Sequence, residues 1–203
     1  MKTLRFTLLA FDGMEALDFA GPYEVFTTAS RVYQKMHPHS DAWCSVHTVA
    51  ASPGPVATRA GLKILPDASM DTTSHAADEV LLIPGGIIDG PLHDPKSLLW
   101  IRIRARTAGV TASVCTGAFL LAASGVIRTE RVTTHWEDAD DLQRQFPELK
   151  VETNVRWIDE GRVVTSAGIS AGIDMCLHLV SRLGGALLAE RTAHQMDFKW
   201  THS

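Results

Sequence analysis

The sequence predicts an α/β fold, a sandwich in which helices cover both faces of a mainly parallel sheet. Apolar runs of strand length alternate with helical stretches along the chain, which favours this class. The run 79–83 is continuous and apolar after its first residue, as in parallel strands buried on both faces. The chain has 203 residues, of which 45% are hydrophobic. We therefore expect one domain over residues 1–203, without repeats or an internal boundary.

Charge and cysteine usage narrow the possible partners. Nineteen basic and twenty-three acidic residues give a formal charge of -4, and no stripe of Lys and Arg is present, so we expect no nucleic-acid partner. No apolar run reaches the roughly 20 residues that span a bilayer, which predicts no membrane partner. The N-terminal apolar run lacks a small-residue cleavage site. Three unevenly spaced cysteines indicate no disulfide framework, and we expect a cytoplasmic protein with reduced thiols.

The first strand and helix place an acid near the sheet edge. The stretch 1–11 reads as strand one and ends at an Asp-Gly turn. Pro22 suits the first turn of a helix, so the following helix is predicted to begin near Gly21 and to run to about Met36. Asp18 then lies on the preceding loop, above the strand ends. The commoner role of such an aspartate is to cap the helix.

In the middle of the chain, the sequence predicts a strand that ends in a turn with two glycines. Residues 42–50 alternate like a strand, and 56–65 read as a strand pair. After strand 79–83 come Gly85 and Gly86, whose N–H groups can approach a ligand as an oxyanion hole or form an ordinary tight turn. No G-x-G-x-x-G follows, and Pro91 disfavours a helix starting there. Asp94 and Pro95 then open a helix that reaches Gly109.

A cysteine lies between a buried strand, 108–114, and an apolar helix closed by Gly125. Cys115 thus occupies a strand-to-helix turn similar to a nucleophile elbow. The positive end of the following helix predicts a lowered pKa for its thiol. The alternative is a small buried hydrophobe, the usual role of a free cysteine.

The last third alternates strands and helices again. Residues 132–136 read as a strand or loop that ends near His135, for which a structural, hydrogen-bonded role is the simpler interpretation. A helix over 137–146, a short strand over 151–154 and a hairpin over 155–165 follow. The loop 166–172 is rich in small residues, and helices over 173–183 and 186–196 complete the chain.

Five motifs together resemble the DJ-1/PfpI superfamily. They are Leu17-Asp18-Phe19-Ala20-Gly21-Pro22, Ile83-Pro84-Gly85-Gly86, Ser113-Val114-Cys115-Thr116-Gly117, Thr133-Thr134-His135-Trp136 and Thr165-Ser166-Ala167-Gly168-Ile169-Ser170-Ala171-Gly172-Ile173-Asp174. Each motif alone is weak, but the set spans nearly the whole chain. The resemblance implies a flavodoxin-like sandwich with a nucleophile elbow at Cys115. It also implies a homodimer and a small-molecule substrate, and it suggests no cofactor and no metal.

Within the superfamily the chain looks similar to the isonitrile (isocyanide) hydratases. That resemblance implies that Cys115 is the nucleophile and that Asp18 replaces a glutamate of other branches as the acidic partner, with Thr116 beside them. Binding of the substrate or of developing charge is assigned to four residues: Gly85, Gly86, Ile169 and His135. The expected reaction hydrates an isocyanide to an N-substituted formamide through a thioimidate on Cys115.

Two other functions remain open. The sensor domains of AraC-type regulators share three of the motifs but continue into a DNA-binding region, whereas this sequence runs to Ser203 without one. A non-catalytic or redox-responsive sensor is one alternative, and a DJ-1-like glyoxalase or stress protein is the other, although a glutamate is expected there in place of Asp18. Thr116 stands where the PfpI proteases have histidine, which disfavours peptide hydrolysis.

Overall fold

The computed structural model describes residues 3–74 and 76–202. Its largest sheet has seven strands in the order β10-β11-β7-β6-β1-β2-β5, and all neighbours are parallel except β10 and β11. Within the described residues the strands are β1 (Leu4–Ala10), β2 (Cys44–Ala50), β3 (Val56–Ala57), β4 (Lys63–Ile64), β5 (Ala68–Ser69), β6 (Val80–Ile83), β7 (Val110–Val114), β8 (Arg131–Val132), β9 (Lys150–Val151), β10 (Trp157–Asp159) and β11 (Val163–Ser166).

Helices cover the sheet in two groups. The α-helices are α1 (Ala16–Met36), α2 (Asp89–Leu92), α3 (Pro95–Thr107), α4 (Gly117–Ala123), α5 (Ala139–Gln145), α6 (Ala171–Gly184) and α7 (Ala186–Gln195). Helices α1, α6 and α7 contact one another, and so do α2, α3 and α4. Right-handed crossovers that run in opposite directions from β1 and β6 place the two groups on opposite faces. The predicted mainly parallel α/β sandwich is confirmed.

The central strands form the core. Every residue of β6 and β7 is buried, because helices lie on both faces of these strands. The chain leaves β1 towards β2 and leaves β6 towards β7, so the strand order reverses between β1 and β6. Ligands of open α/β sheets bind outside the carboxyl ends of the strands at such a reversal.

Two predictions about helix starts are wrong. Helix α1 begins at Ala16, not near Gly21, so Asp18 lies in its first turn and Pro22 lies inside it. The proline removes one backbone hydrogen bond, but α1 packs against α6 and α7 and buries Phe19 and Pro22, and this packing outweighs the loss. The short helix α2 contains Pro91, which the first turn tolerates because its N–H groups have no partner within the helix.

Most of the remaining elements overlap the predictions, but the strand predicted over 151–154 is confined to β9 at 150–151, and the helix predicted over 137–146 begins with a 3-10 turn over 136–138. The pair β3–β4 is antiparallel, as is the hairpin β10–β11, and α3 begins after Asp94, whose carboxylate accepts hydrogen bonds from two N–H groups of the first turn. Residues 1 and 2 of the predicted first strand lie outside the described residues. No helix in the part of the chain that the structure describes is long and apolar enough to cross a membrane.

Candidate active site

Cys115 occupies the predicted turn between β7 and α4. Its φ of 55° lies in the left-handed region, which costs a non-glycine residue about 1–3 kcal/mol and persists only where neighbours hold it. Its N–H donates to the carbonyl of Ser166 at 3.1 Å. Its own carbonyl accepts from the Thr134 hydroxyl at 2.8 Å. The strained conformation is thus held from both sides, which is the geometry of a nucleophile elbow.

The elbow packs so closely against the end of β6 that two glycines, Gly85 and Gly117, have no room for a side chain. A Cβ on Gly85 would lie 2.5 Å from the Thr116 nitrogen, and one on Gly117 would lie 2.4 Å from the Ile83 carbonyl oxygen. Real Cβ atoms do not approach other atoms so closely. The Gly-Gly turn and the elbow therefore form one tightly fitted unit.

The N–H groups of the Gly-Gly turn already have partners within the protein. Gly85 donates to Oδ2 of Asp18 at 3.2 Å, and Gly86 donates to the Thr116 hydroxyl at 2.9 Å. The same hydroxyl lies 2.9 Å from the Gly86 carbonyl and donates to it. In this arrangement the two glycines position Asp18 and Thr116 and do not point free N–H groups at a substrate.

Asp18 is a fully buried carboxyl group with a raised pKa. Removal from water is the main reason why that pKa rises from 3.8 to about 7; the Gly85 N–H opposes the rise, and the nearby charge of Glu15 contributes to it. The nearby Cys115 thiol and Ile169 N–H lower the pKa of the carboxyl. Asp18 does not cap α1, because its carboxylate accepts from Gly85. Near neutral pH this group can both hold and release a proton.

The predicted lowering of the Cys115 pKa is wrong. Burial, followed by the negative charge of Asp18, raises the pKa of the thiol to about 12, and the Thr116 N–H offsets only part of this rise. The charge of Asp138 contributes to the same rise. The dipole of a seven-residue helix does not outweigh removal from water and two neighbouring carboxylates. The resting group is a thiol.

A cleft of about 470 Å³ opens in front of Cys115. Its lining comprises Glu15, Arg59, Gly86, Ile87, Ile88, Asp89, Leu92, Cys115, Thr116, Phe119, His135, Glu137, Asp138, Asp141, Gln145 and Ile169. One part of the wall is apolar and another carries several carboxylates. Arg59 is near Glu15, with 3.7 Å between Nη1 and Oε2. Asp18 is absent from this lining and fully buried, so it influences the Cys115 thiol from inside the protein.

Ile169 and His135 also lie at the cleft. Ile169 has a φ of 50° and is 41% exposed, so its side chain can contact a bound molecule. His135 Nδ1 lies 3.6 Å from Oδ2 of Asp138, and its ring packs so closely on Gly168 that a Cβ there would lie 2.0 Å from Cδ2. The structure thus brings all seven predicted site residues together.

Several residues of the cleft were not predicted. Glu15 directly precedes α1 and could have been found as a second acid beside Asp18. Arg59, Phe119 and Asp138 had no distinguishing sequence signal, since their placement depends on loop paths and helix packing. Among residues 3–74 and 76–202, no group of three or more His, Cys, Asp or Glu side chains is arranged to hold a metal ion.

Comparison with known proteins gives both enzyme and regulator relatives. The chain is 32% identical to isonitrile hydratase of Pseudomonas putida, over 96% of this chain and 78% of that protein. It is 27% identical to the HTH-type transcriptional regulator CdhR of Pseudomonas aeruginosa, over 94% of this chain but only 54% of the regulator. The chain therefore spans about half the length of that regulator.

A solved structure and a family match agree with the fold. A ThiJ/PfpI family protein from Pseudomonas syringae superposes with a TM-score of 0.84 and 28% identity, over 100% of this chain and 78% of that one. Residues 5–182, which include the elbow, the Gly-Gly turn and Asp18, match the DJ-1/PfpI family. The chain belongs to the DJ-1/PfpI family.

Proposed function

We propose that this chain is a cysteine-dependent enzyme that hydrates an isocyanide to an N-substituted formamide. The observation that carries the proposal is the pairing of Cys115, held at a strained φ of 55°, with a buried carboxyl whose pKa is about 7. The similarity to isonitrile hydratase over 96% of the chain supports the choice of reaction.

The first step adds the S–H group across the terminal carbon of the isocyanide. The sulfur forms a bond to that carbon, and the thiol proton passes to the same carbon through Asp18, which gives the neutral thioimidate R–N=CH–S–Cys. Because the thiol has a pKa of about 12, proton removal accompanies carbon–sulfur bond formation, and no free thiolate accumulates. A pKa of about 7 lets Asp18 accept and donate this proton near neutral pH.

The second step adds water. Water attacks the thioimidate carbon, one of its protons passes through Asp18 to the nitrogen, and the tetrahedral adduct then breaks its carbon–sulfur bond. The sulfur leaves as a thiol with the proton of the adduct's hydroxyl group, and the product is R–NH–CHO, so atoms balance as isocyanide plus water. The Thr116 hydroxyl, next to the sulfur in sequence, is the group we assign to holding the water, at the expense of its bonds to Gly86.

The cleft favours a substrate with an uncharged substituent. Ile87, Ile88, Leu92 and Phe119 provide an apolar wall for the group on nitrogen. Several carboxylates on the other wall, including those of Asp138 and Asp141, repel an anionic group. An alkyl or aryl isocyanide meets both conditions.

The test is isocyanide turnover followed by detection of the formamide. We expect Cys115→Ala to lose at least about a thousandfold in kcat, and Asp18→Asn to lose about a hundredfold or more, because the proton transfers then lack their relay. Cys44→Ala is the matched control, since it removes another buried thiol far from the cleft. Full turnover by Cys115→Ala would refute the proposal.

The second candidate function is that of a ligand sensor, which the similarity to CdhR favours. A sensor would bind a small molecule in the same cleft without consuming it. Saturable isocyanide binding by the wild type, without formamide release, would support this function. A redox sensor is less well supported, because a thiol with a pKa of about 12 reacts slowly with oxidants.

A further inference from the structure

A second cleft, of about 350 Å³, opens at the other edge of the sheet. It lies at the amino ends of β7 and β11, whereas Cys115 follows the carboxyl end of β7. Since β7 has five residues, about 15 Å separates the two clefts along the strand. The lining comprises Arg102, Ala105, Arg106, Thr111, Gly125, Val126, Arg128, Glu130, Arg162 and Val163.

The charges of this cleft differ from those of the whole chain. Four arginines and one glutamate line it, although the chain has a formal charge of -4. Two of these arginines have a structural role. Arg102 Nε donates to the carbonyl of Ser124 at the end of α4, and Arg162 donates to three carbonyls at the end of α3, at 3.3–3.4 Å. They neutralise the partial negative charge of two helix ends.

The other two arginines have no such role. In the part of the chain that the structure describes, the guanidinium groups of Arg106 and Arg128 form no hydrogen bond or ion pair. Arg128 is folded over the backbone, and a Cβ on Gly125 would lie 3.5 Å from its Nη2. Glu130 is already engaged, because its carboxylate accepts from the N–H groups of Arg128 at 2.5 Å and Thr129 at 2.8 Å. Two cations therefore face the cleft without a full counterion.

We propose that this cleft binds a diphosphate group, as in inorganic pyrophosphate or the end of a nucleoside diphosphate. A guanidinium group binds a phosphoryl group through two parallel hydrogen bonds. Arg106 lies on α3 and Arg128 on the segment after α4, so the two can each hold one phosphoryl group. Arg102 and Arg162 add positive charge, and Glu130 is the single acid in the lining. A diphosphate carries more oxygens and more negative charge than a single orthophosphate, which favours its binding to two guanidinium groups at once.

The test is calorimetric titration of the purified protein with inorganic pyrophosphate at low ionic strength. We expect one site per chain, binding that weakens as salt is added because all four arginines are exposed, and tighter binding than for orthophosphate. Arg106→Gln and Arg128→Gln should each weaken binding about tenfold. Arg31→Gln removes an equal charge from an ion pair on α1 and is the matched control.

The outcomes separate the alternatives. Binding that is lost with Arg106→Gln and Arg128→Gln but kept with Arg31→Gln would support the site, and a further gain with adenosine diphosphate would indicate a nucleotide. Absence of pyrophosphate binding, or an equal loss with Arg31→Gln, would overturn it. Tight binding of an oligonucleotide but not of pyrophosphate would also overturn it, in favour of an extended surface. Melting temperatures of the variants check that they fold.

Discussion

Replacement of Asp18 by asparagine should stabilise the folded protein at alkaline pH while it removes activity. The unfolded chain ionises this carboxyl above pH 3.8, whereas the folded protein keeps the proton until about pH 7. The folded state is therefore favoured by the bound proton at low pH, and its stability falls as pH rises between these two values. Above pH 7 the carboxyl is ionised in both states and the loss is complete.

The size of the effect follows from the two pKa values. A rise from 3.8 to about 7 corresponds to about 4 kcal/mol at about 1.4 kcal/mol per pKa unit. This is an upper limit, because the charge of Glu15 contributes to the rise and because Glu15 and Cys115 readjust when Asp18 changes. Asparagine keeps an oxygen acceptor for the Gly85 N–H and carries no charge, so the variant avoids the cost of burying an ion.

The assay is urea unfolding of both proteins at pH 5 and pH 8. We expect the stability difference, variant minus wild type, to increase by about 2–3 kcal/mol between these pH values, because about two of the three pKa units of the shift lie above pH 5. Asp41→Asn, at an exposed position, is the matched control and should show no such change. If the Asp18→Asn difference is the same at both pH values, the carboxyl is not held protonated by burial, and its assignment as a proton relay at neutral pH fails.

Three further predictions concern the elbow. Thr134→Val should destabilise the protein by about 1–3 kcal/mol and lower kcat, because the buried carbonyl of Cys115 loses the shorter of its two hydrogen bonds and keeps only the one from the Ala118 N–H at 3.4 Å. Urea unfolding and steady-state kinetics measure both, and unchanged values would contradict the role given to the Thr134 bond. Gly85→Ala should destabilise the protein by several kcal/mol or move the elbow, because its Cβ would lie 2.5 Å from the Thr116 nitrogen. Normal stability and normal turnover of this variant would show that the turn is looser than described. Cys115 should react slowly with iodoacetamide at pH 7 and faster as pH rises, since its pKa is about 12; rapid alkylation at pH 7 would show that a thiolate is present.

The elbow was predictable because its signal is local. A cysteine between an apolar strand and an apolar helix has to lie on the turn that connects them. The loops at the carboxyl ends of parallel strands, in turn, meet at one edge of the sheet. That rule was sufficient to bring Asp18, the Gly-Gly turn and Cys115 together. Pro22 led to a wrong helix start, because the tertiary packing that tolerates it is absent from a local pattern.

The electrostatics were not predictable in the same way. The sequence indicates a helix dipole near Cys115, but it does not indicate how far the thiol is removed from water or that Asp138 lies nearby. Asp138 follows Cys115 by more than twenty residues and reaches the cleft through a 3-10 turn over Trp136–Asp138. Burial and loop paths, which decide the direction of the pKa shift, are properties of the folded chain.

The fitted contact between the Gly-Gly turn and the elbow has a consequence for protein engineering. Gly85 donates to Asp18, and Gly86 donates to Thr116, the residue after Cys115. Replacement of Asp18 by the longer glutamate, as a step towards a glyoxalase-like chemistry, therefore requires further substitutions around it. The added methylene needs space that the turn already fills. The loops after β1, β6 and β7 therefore have to be redesigned together, as one unit.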